Sequence, residues 1–280
     1  MGATGGGYIL SRGTTSRARP ASGRGVTTRV NGDPSYDART TRRAVSLMLS
    51  ALGREEEGVA VDQRVDTPIG SGFGSSGAAA TSAVYAAAAA LGVREPKREL
   101  ARFAHQAEIM EQTGLGTVSV VYDHVGAGAI TSPGEPGAAK FVMVKVPRGT
   151  RIVTACFAPY DKKDALSSPK MRERINTLGS AALRGFLSDP SLETLASEGE
   201  AFSARLGLES PEVKKAMAAA KAAGATHASQ NMIGYSAHAV VDVDRSPRVV
   251  RALRALGSGV RVDAFEIGNV RAGVLGASRR

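Results

Sequence analysis

Pro68-Ile-Gly-Ser-Gly-Phe-Gly-Ser-Ser-Gly-Ala78 runs directly into an alanine-rich segment that ends at Leu91. Four glycines, three serines and one proline fall within these eleven residues, and the composition then switches to a strong helix former. A loop with so few side chains, opening a helix, offers free backbone N–H groups and the positive end of a helix dipole to an anion. The plain alternative is a Gly/Ser linker or loop tip. What flanks the stretch decides between them: residues 58–65 alternate as a strand that delivers the chain to Pro68, and Gly92 closes the helix behind it.

Working outward, residues 40–52 carry helical spacing with Gly53 as the stop, and Pro96 opens a second helix through residue 112. Leu100, Phe103, Ala104, Ala107 and Met110 form its apolar face. Residues 24–30 are expected to pair with 8–18 as a short hairpin, and 117–130 read as a mixed strand and glycine turn. Strands are predicted at 141–146 and 151–157. Beyond residue 158, Ser168-Pro169, Asp189-Pro190, Ser210-Pro211 and Ser246-Pro247 each predict a capped helix start. Two strands joined at Gly234-Tyr-Ser236 and a last one over 260–267 complete the pattern. The reading is α+β, with a ferredoxin-type second half and a boundary near residue 150.

Composition sets limits. The chain has 280 residues, 42% of them hydrophobic and 22% charged, as expected of a soluble globular protein. No apolar run reaches the roughly 20 residues a membrane span needs. A single cysteine, Cys156, excludes an intramolecular disulfide framework, fits a reducing cytoplasm, and sits in an apolar run as a buried thiol would. The net charge is +10, and residues 1–54 hold nine arginines against Asp33 and Asp37. Six tyrosines, seven phenylalanines and no tryptophan, without a recognition motif, make nucleic acid the weaker reading of that charge. A basic field equally concentrates small anionic ligands.

Gly72-Phe-Gly-Ser-Ser-Gly77 fits the dinucleotide pattern G-x-G-x-x-G, but the helix behind it is followed by another helix where a Rossmann unit needs a strand. No Gly-Lys-Ser/Thr closes a Walker loop, and no register gives G-x-S-x-G. The spacing from Pro68 to Ala78 instead resembles the second motif of the GHMP kinases, with Gly77 where alanine is commonest. Ala104-His-Gln-Ala-Glu108, Thr113-Gly-Leu-Gly116, Pro133-Gly-Glu-Pro-Gly137, Lys163-Asp-Ala-Leu-Ser167, Ala223-Gly-Ala225 and Met232-Ile-Gly234 resemble, in order, the archaeal pantoate kinase branch.

That resemblance implies the GHMP fold, with a ribosomal protein S5 domain 2-like ATP-binding half over 1–150 and a ferredoxin-like half over 151–280. It also implies phosphorylation of the 4-hydroxyl of (R)-pantoate by ATP and Mg2+ in archaeal coenzyme A biosynthesis. Pro68, Gly70, Ser71, Gly72, Phe73, Gly74, Ser75 and Ser76 would wrap the nucleotide phosphates. Ser76 and Glu108 would hold magnesium, and His105 would contact pantoate. Without the resemblance, Glu108 would read as a solvated charge and His105 as an ordinary histidine. Glu111, nearer the centre of the stripe, suggests an interior ion pair.

Three positions depart from the branch. Thr117 replaces an aspartate that can accept the substrate's proton, leaving either Asp123 or positioning alone. Gly126-Ala-Gly-Ala-Ile-Thr131 lacks the usual arginine, and Lys162, where threonine is common, could supply that charge for a carboxylate. Gly2-Ala-Thr-Gly-Gly-Gly7 resembles a segment that normally follows an N-terminal strand and a Pro-Gly-His-type motif, so the N-terminal half is expected to be incomplete. The resemblance allows a homodimer. Rival readings are a GHMP kinase for mevalonate, homoserine or a similar alcohol, and a catalytically silent nucleotide-binding homologue.

Overall fold

The structure, a computed structural model, describes residues 1–157, 168–232, 234–269 and 271–276. The strand predicted at 58–65 forms as β4 (Gly58–Val65), with Val59, Val61, Gln63 and Val65 buried and Asp62 and Arg64 exposed. β2 (Thr14–Ala21) pairs with it antiparallel on one side, and β3 (Gly25–Val30) runs parallel on the other. The hairpin expected between 8–18 and 24–30 is therefore absent, because β4 lies between its two arms. Valine-rich β4 takes the centre and the arginine-bearing strands take the edges, where charge is tolerated. Parallel pairing of β3 with β4 needs a crossover, and α1 (Arg39–Ala51) supplies it.

Helices α1, α2 (Ser75–Ala90) and α3 (Lys97–Met110) pack on the inner face of this sheet. Ala44, Val45 and Met48 meet Ala80, Val84 and Ala87 there, with Leu100, Ala104 and Ala107 behind them. The small side chains of α2 let its neighbours approach closely from two sides. On α3 the buried face is Leu100, Ala101, Ala104, His105, Ala107 and Glu108, whereas Met110, expected on that face, is 55% exposed. The stripe is thus rotated toward Glu108. Glu111 caps the helix and pairs with Arg43 at 2.9 Å and Arg39 at 3.7 Å, but both arginines are exposed, so the ion pair lies at the surface and not in the interior as its position suggested.

Residues 117–130 begin with a helix, α4 (Thr117–Asp123), and only then form β5 (Ala127–Ser132). The β-branched run there had favoured a strand, but helical spacing buries Val118 and Ser119 together, and tertiary packing overrides a weak propensity. β5 lies between β1 (Gly5–Tyr8) and β6 (Lys140–Val144) in an antiparallel sheet.

The second half is a four-stranded antiparallel sheet in the order β10–β7–β9–β8, made of β7 (Thr150–Cys156), β8 (His227–Gln230), β9 (Ser236–Asp242) and β10 (Arg261–Glu266). With helices between β7 and β8 and between β9 and β10, this is the expected ferredoxin-type layer. One face holds Val153, Ala155, Ala237 and Val241 against α7 (Pro211–Ala222) and α8 (Ser246–Arg254). The opposite face puts Ile152 and Val240 against Ala196 of α6 (Leu192–Leu206) and against Tyr8. Phe186 of α5 (Pro169–Ser188) and Leu195 of α6 also cover Ala127 and Ala129 of β5, so the two halves share a core.

Two predicted caps differ. Ser168 and Ser210 accept N–H groups of their first turns, as expected. Asp189 instead ends α5, and Ser191 caps α6 by accepting the Thr194 N–H at 3.0 Å. Ser246 lies inside α8 and its side chain makes no cap. Cys156 is buried, and burial pushes its thiol up to about 12, which removes it as a nucleophile. No helix among the described residues is long and apolar enough to cross a membrane.

Candidate active site

The glycine loop leaves β4 at Val65 and enters α2 through Gly74, whose φ of 67° is left-handed. No side chain caps α2, so the first-turn N–H groups at Ser75, Ser76 and Gly77 are not taken up by a side chain. Pro68, Phe73, Ser75 and Ser76 are half-buried around this opening, and Ser71 is buried. Gly70 and Gly72 also have positive φ, at 77° and 84°. A side chain at Gly72 would collide with the backbone: its Cβ would lie 2.3 Å from the Asn231 carbonyl oxygen in the turn between β8 and β9. The loop is therefore wedged against the second half of the chain.

Glu108 reaches this loop from α3. Its side chain is fully buried, and one carboxylate oxygen accepts the Ser76 hydroxyl at 3.0 Å. Two glycines give it room, since a Cβ at Gly77 would sit 2.7 Å from Oε2 and one at Gly114 2.6 Å from Oε1. Gly77, the one departure from the second-motif pattern, is thus the residue under the carboxylate. Burial raises the Glu108 pKa to about 7, against the smaller opposing pull of the Ser76 hydroxyl and the Val118 amide. Oε2 has no hydrogen-bond partner. A buried carboxylate with an orphaned oxygen, beside a hydroxyl and a row of helix-opening amides, is a place for a hard cation shared with an anion. Among the described residues no three His, Cys, Asp or Glu side chains cluster, so a cation here would rest on Glu108, Ser76 and oxygens of its ligand.

Thr117 stands on the other side of the loop, where a Cβ at Gly74 would come within 2.8 Å of its side chain. It opens α4, whereas Asp123 ends the same helix, about 9 Å further along the axis. The Asp123 carboxylate accepts the Gly137 N–H at 3.0 Å. It does not stand in for a base at position 117. His105, one turn before Glu108, is buried, with Nε2 2.9 Å from the Met1 carbonyl and Nδ1 unpartnered. Burial holds its pKa below the usual range, which keeps the ring neutral. Lys162 lies outside the described residues.

Ser76, Glu108, Thr117 and loop residues 70–76 are thus brought together, and His105 lies one turn along α3. Sequence reasoning noted Gly114 and Ser236 but gave them no role at this site, and it did not single out Asn231. The signals for the turn were the Gly234-Tyr-Ser236 junction between two strands and the Met232-Ile-Gly234 resemblance.

Residues 39–122, from α1 to the penultimate residue of α4, match the family model for the GHMP kinases N terminal domain. Over these residues, well under half of its length, the chain is similar to the GHMP kinases. A pantoate kinase of Methanospirillum hungatei is 27% identical over 62% of this chain and 56% of its own length. A mevalonate kinase of Pyrococcus furiosus is 28% identical over 30% of this chain and 25% of its own. The chain therefore spans about half, or less, of the length of these curated relatives. The solved structure of a phosphotransferase related to the CoA biosynthesis pathway shares the fold across 96% of this chain and 88% of its own, with a TM-score of 0.83 and 24% identity. Of these two curated relatives, the pantoate kinase is similar over the larger share of this chain.

In Ser76→Ala the carboxylate loses its hydrogen bond, and a cation bound beside it would lose one hydroxyl. Affinity for Mg2+-ATP, measured by calorimetry, is expected to fall on the order of tenfold with little change in melting temperature. An unchanged affinity would remove Ser76 from the site.

Proposed function

We propose that this protein is an ATP-dependent small-molecule kinase that phosphorylates the hydroxyl of pantoate, with the nucleotide triphosphate seated on residues 68–76. The observation that carries the reading is the orphaned, buried Glu108 carboxylate against the uncapped start of α2. The domain division at 150/151 is part of the same proposal. Magnesium fits Glu108 and Ser76 by donor chemistry, and bound there with ATP it would neutralise charge on the phosphates.

Phosphoryl transfer asks for alignment and charge compensation more than for covalent help. The loop amides would hold the phosphate chain, while Glu108 and Ser76 fix its charge balance on one side. With threonine at 117 and Asp123 tied to Gly137, no carboxylate among the described residues stands where a base would, and on this reading transfer proceeds by positioning. The substrate oxygen forms its bond as the bond to the β-phosphate oxygen breaks, and its proton passes to a phosphoryl oxygen. His105, neutral and with Nδ1 free, would hydrogen-bond the acceptor, and Lys162 would meet its carboxylate.

The mevalonate kinase likeness favours one second reading, a kinase for another hydroxy acid. ATP consumption with pantoate, mevalonate and homoserine in parallel tests both. Turnover confined to pantoate is the expected result. Turnover on another alcohol would move the substrate assignment, and ATP binding without turnover on any would leave a silent nucleotide-binding protein.

A further inference from the structure

The wedge between the glycine loop and the β8–β9 turn includes a directed chain of hydrogen bonds. Ser236 is fully buried and donates its hydroxyl to the Ser71 carbonyl at 2.5 Å. Asn231 donates its side-chain amide to that hydroxyl oxygen at 2.9 Å, which leaves the serine proton only the loop to point at. The Asn231 side-chain carbonyl in turn lies 2.6 Å from Nδ1 of His238. Burial pulls the His238 pKa down to about 4, so the ring is neutral; facing a carbonyl, Nδ1 carries its proton. The edge of Tyr8, 5.5 Å away by ring centroids, closes the far end. Every donor in the row points toward Ser71, the arrangement in which successive bonds reinforce one another.

What this does to the loop follows from peptide geometry. In a trans peptide the C=O and the N–H of one unit point in opposite directions. Holding the Ser71 oxygen on the Ser236 side therefore turns the Gly72 N–H to the other side. At a glycine with φ of 84° both orientations of that peptide are otherwise accessible. The flipped one would turn a carbonyl oxygen toward a bound phosphate. Gly234 also packs closely on the Ser236 side of this peptide, since a Cβ there would lie 2.5 Å from the Ser71 carbonyl carbon.

We propose that Ser236, oriented by Asn231 and His238, is a positioning residue that locks the Ser71–Gly72 peptide with its N–H turned into the phosphate-binding loop. The proposal rests on the reading of residues 68–76 as a nucleotide site. Such a lock is preorganisation: the donor is aimed before the anion arrives.

The test uses the full chain with Ser236→Ala, Asn231→Ala and Ser236→Thr. Amide hydrogen exchange over 68–78 is followed without nucleotide, and ATP binding is titrated separately. Ser236→Ala is expected to speed loop exchange and weaken ATP binding, each on the order of tenfold, with exchange in β4 and α1 unchanged. Asn231→Ala should move both in the same direction by less, and Ser236→Thr should restore them. Exchange that rises everywhere along with a lowered melting temperature would make Ser236 merely structural and overturn the proposal. So would an unchanged loop, or a loosened loop with unaltered ATP affinity. If the unsubstituted protein binds no ATP, the functional reading fails, and the exchange arm alone then decides whether the lock exists.

Discussion

Glu108→Gln is expected to make the ligand-free protein more stable at pH 8 while lowering kcat/KM for ATP-dependent turnover about a thousandfold. The two effects share one cause. The buried carboxyl has a pKa of about 7 in the fold, above its ordinary value of 4.5, so the folded state holds the proton more tightly than the unfolded chain. Its favourable contribution is complete below about pH 4.5 and is lost as pH rises through about 7. Above that, keeping an anion in this pocket costs roughly 3 kcal/mol. Glutamine preserves shape without charge, so the variant should lack this decline, and urea melts from pH 4 to 8.5 on both proteins would show the curves diverging. Parallel curves would mean that the carboxyl is not strained by burial. The activity loss follows because an anion held against desolvation is what a cation on the phosphates would meet; electrostatic groups of this kind are worth about two to three powers of ten in rate. Mg2+-ATP should stabilise the unsubstituted protein at pH 8 and the variant far less.

Gly72→Ala is expected to destabilise the fold by roughly 2–5 kcal/mol and to abolish measurable ATP binding. About 1–2 kcal/mol comes from forcing an alanine into the left-handed region at φ 84°. The remainder is overlap with the Asn231 carbonyl oxygen, 2.3 Å from the new Cβ. That oxygen cannot retreat easily, because it accepts the Gly234 N–H at 2.8 Å within its own turn. Gly70→Ala is the control: φ is 77°, but nothing lies within 4 Å of its Cβ. It should cost only about 1 kcal/mol and leave the loop seated. Equal denaturation midpoints for the two variants would show that the wedge against the second half carries no energy.

Much of this site was legible in the sequence. The loop, the helix it opens and β4 before it fall within a few residues of their predicted bounds, because glycine, alanine and alternating valine act on the chain locally. Ser76 and Glu108 were named from the family resemblance, and the structure brings them to 3.0 Å. Local pattern alone would have left Glu108 in solvent. Its burial depends on Gly77 and Gly114, which lie close to it only after α2 and α3 have packed. The missed hairpin has a similar origin, since a short link between β2 and β3 says nothing of a third strand inserting between them. The strand reading of residues 117–123 failed because a β-branched run has a weak preference that packing reverses.

By itself, then, the sequence determined where the backbone is bare, where most of the helices lie, and which residue types could serve phosphate and cation. Tertiary structure decided which glutamate is buried, that Asp123 is spent on Gly137, and that Ser236 holds the loop from 165 residues away. Those outcomes rest on desolvation and on contacts between distant segments, and neither exists until the chain has folded.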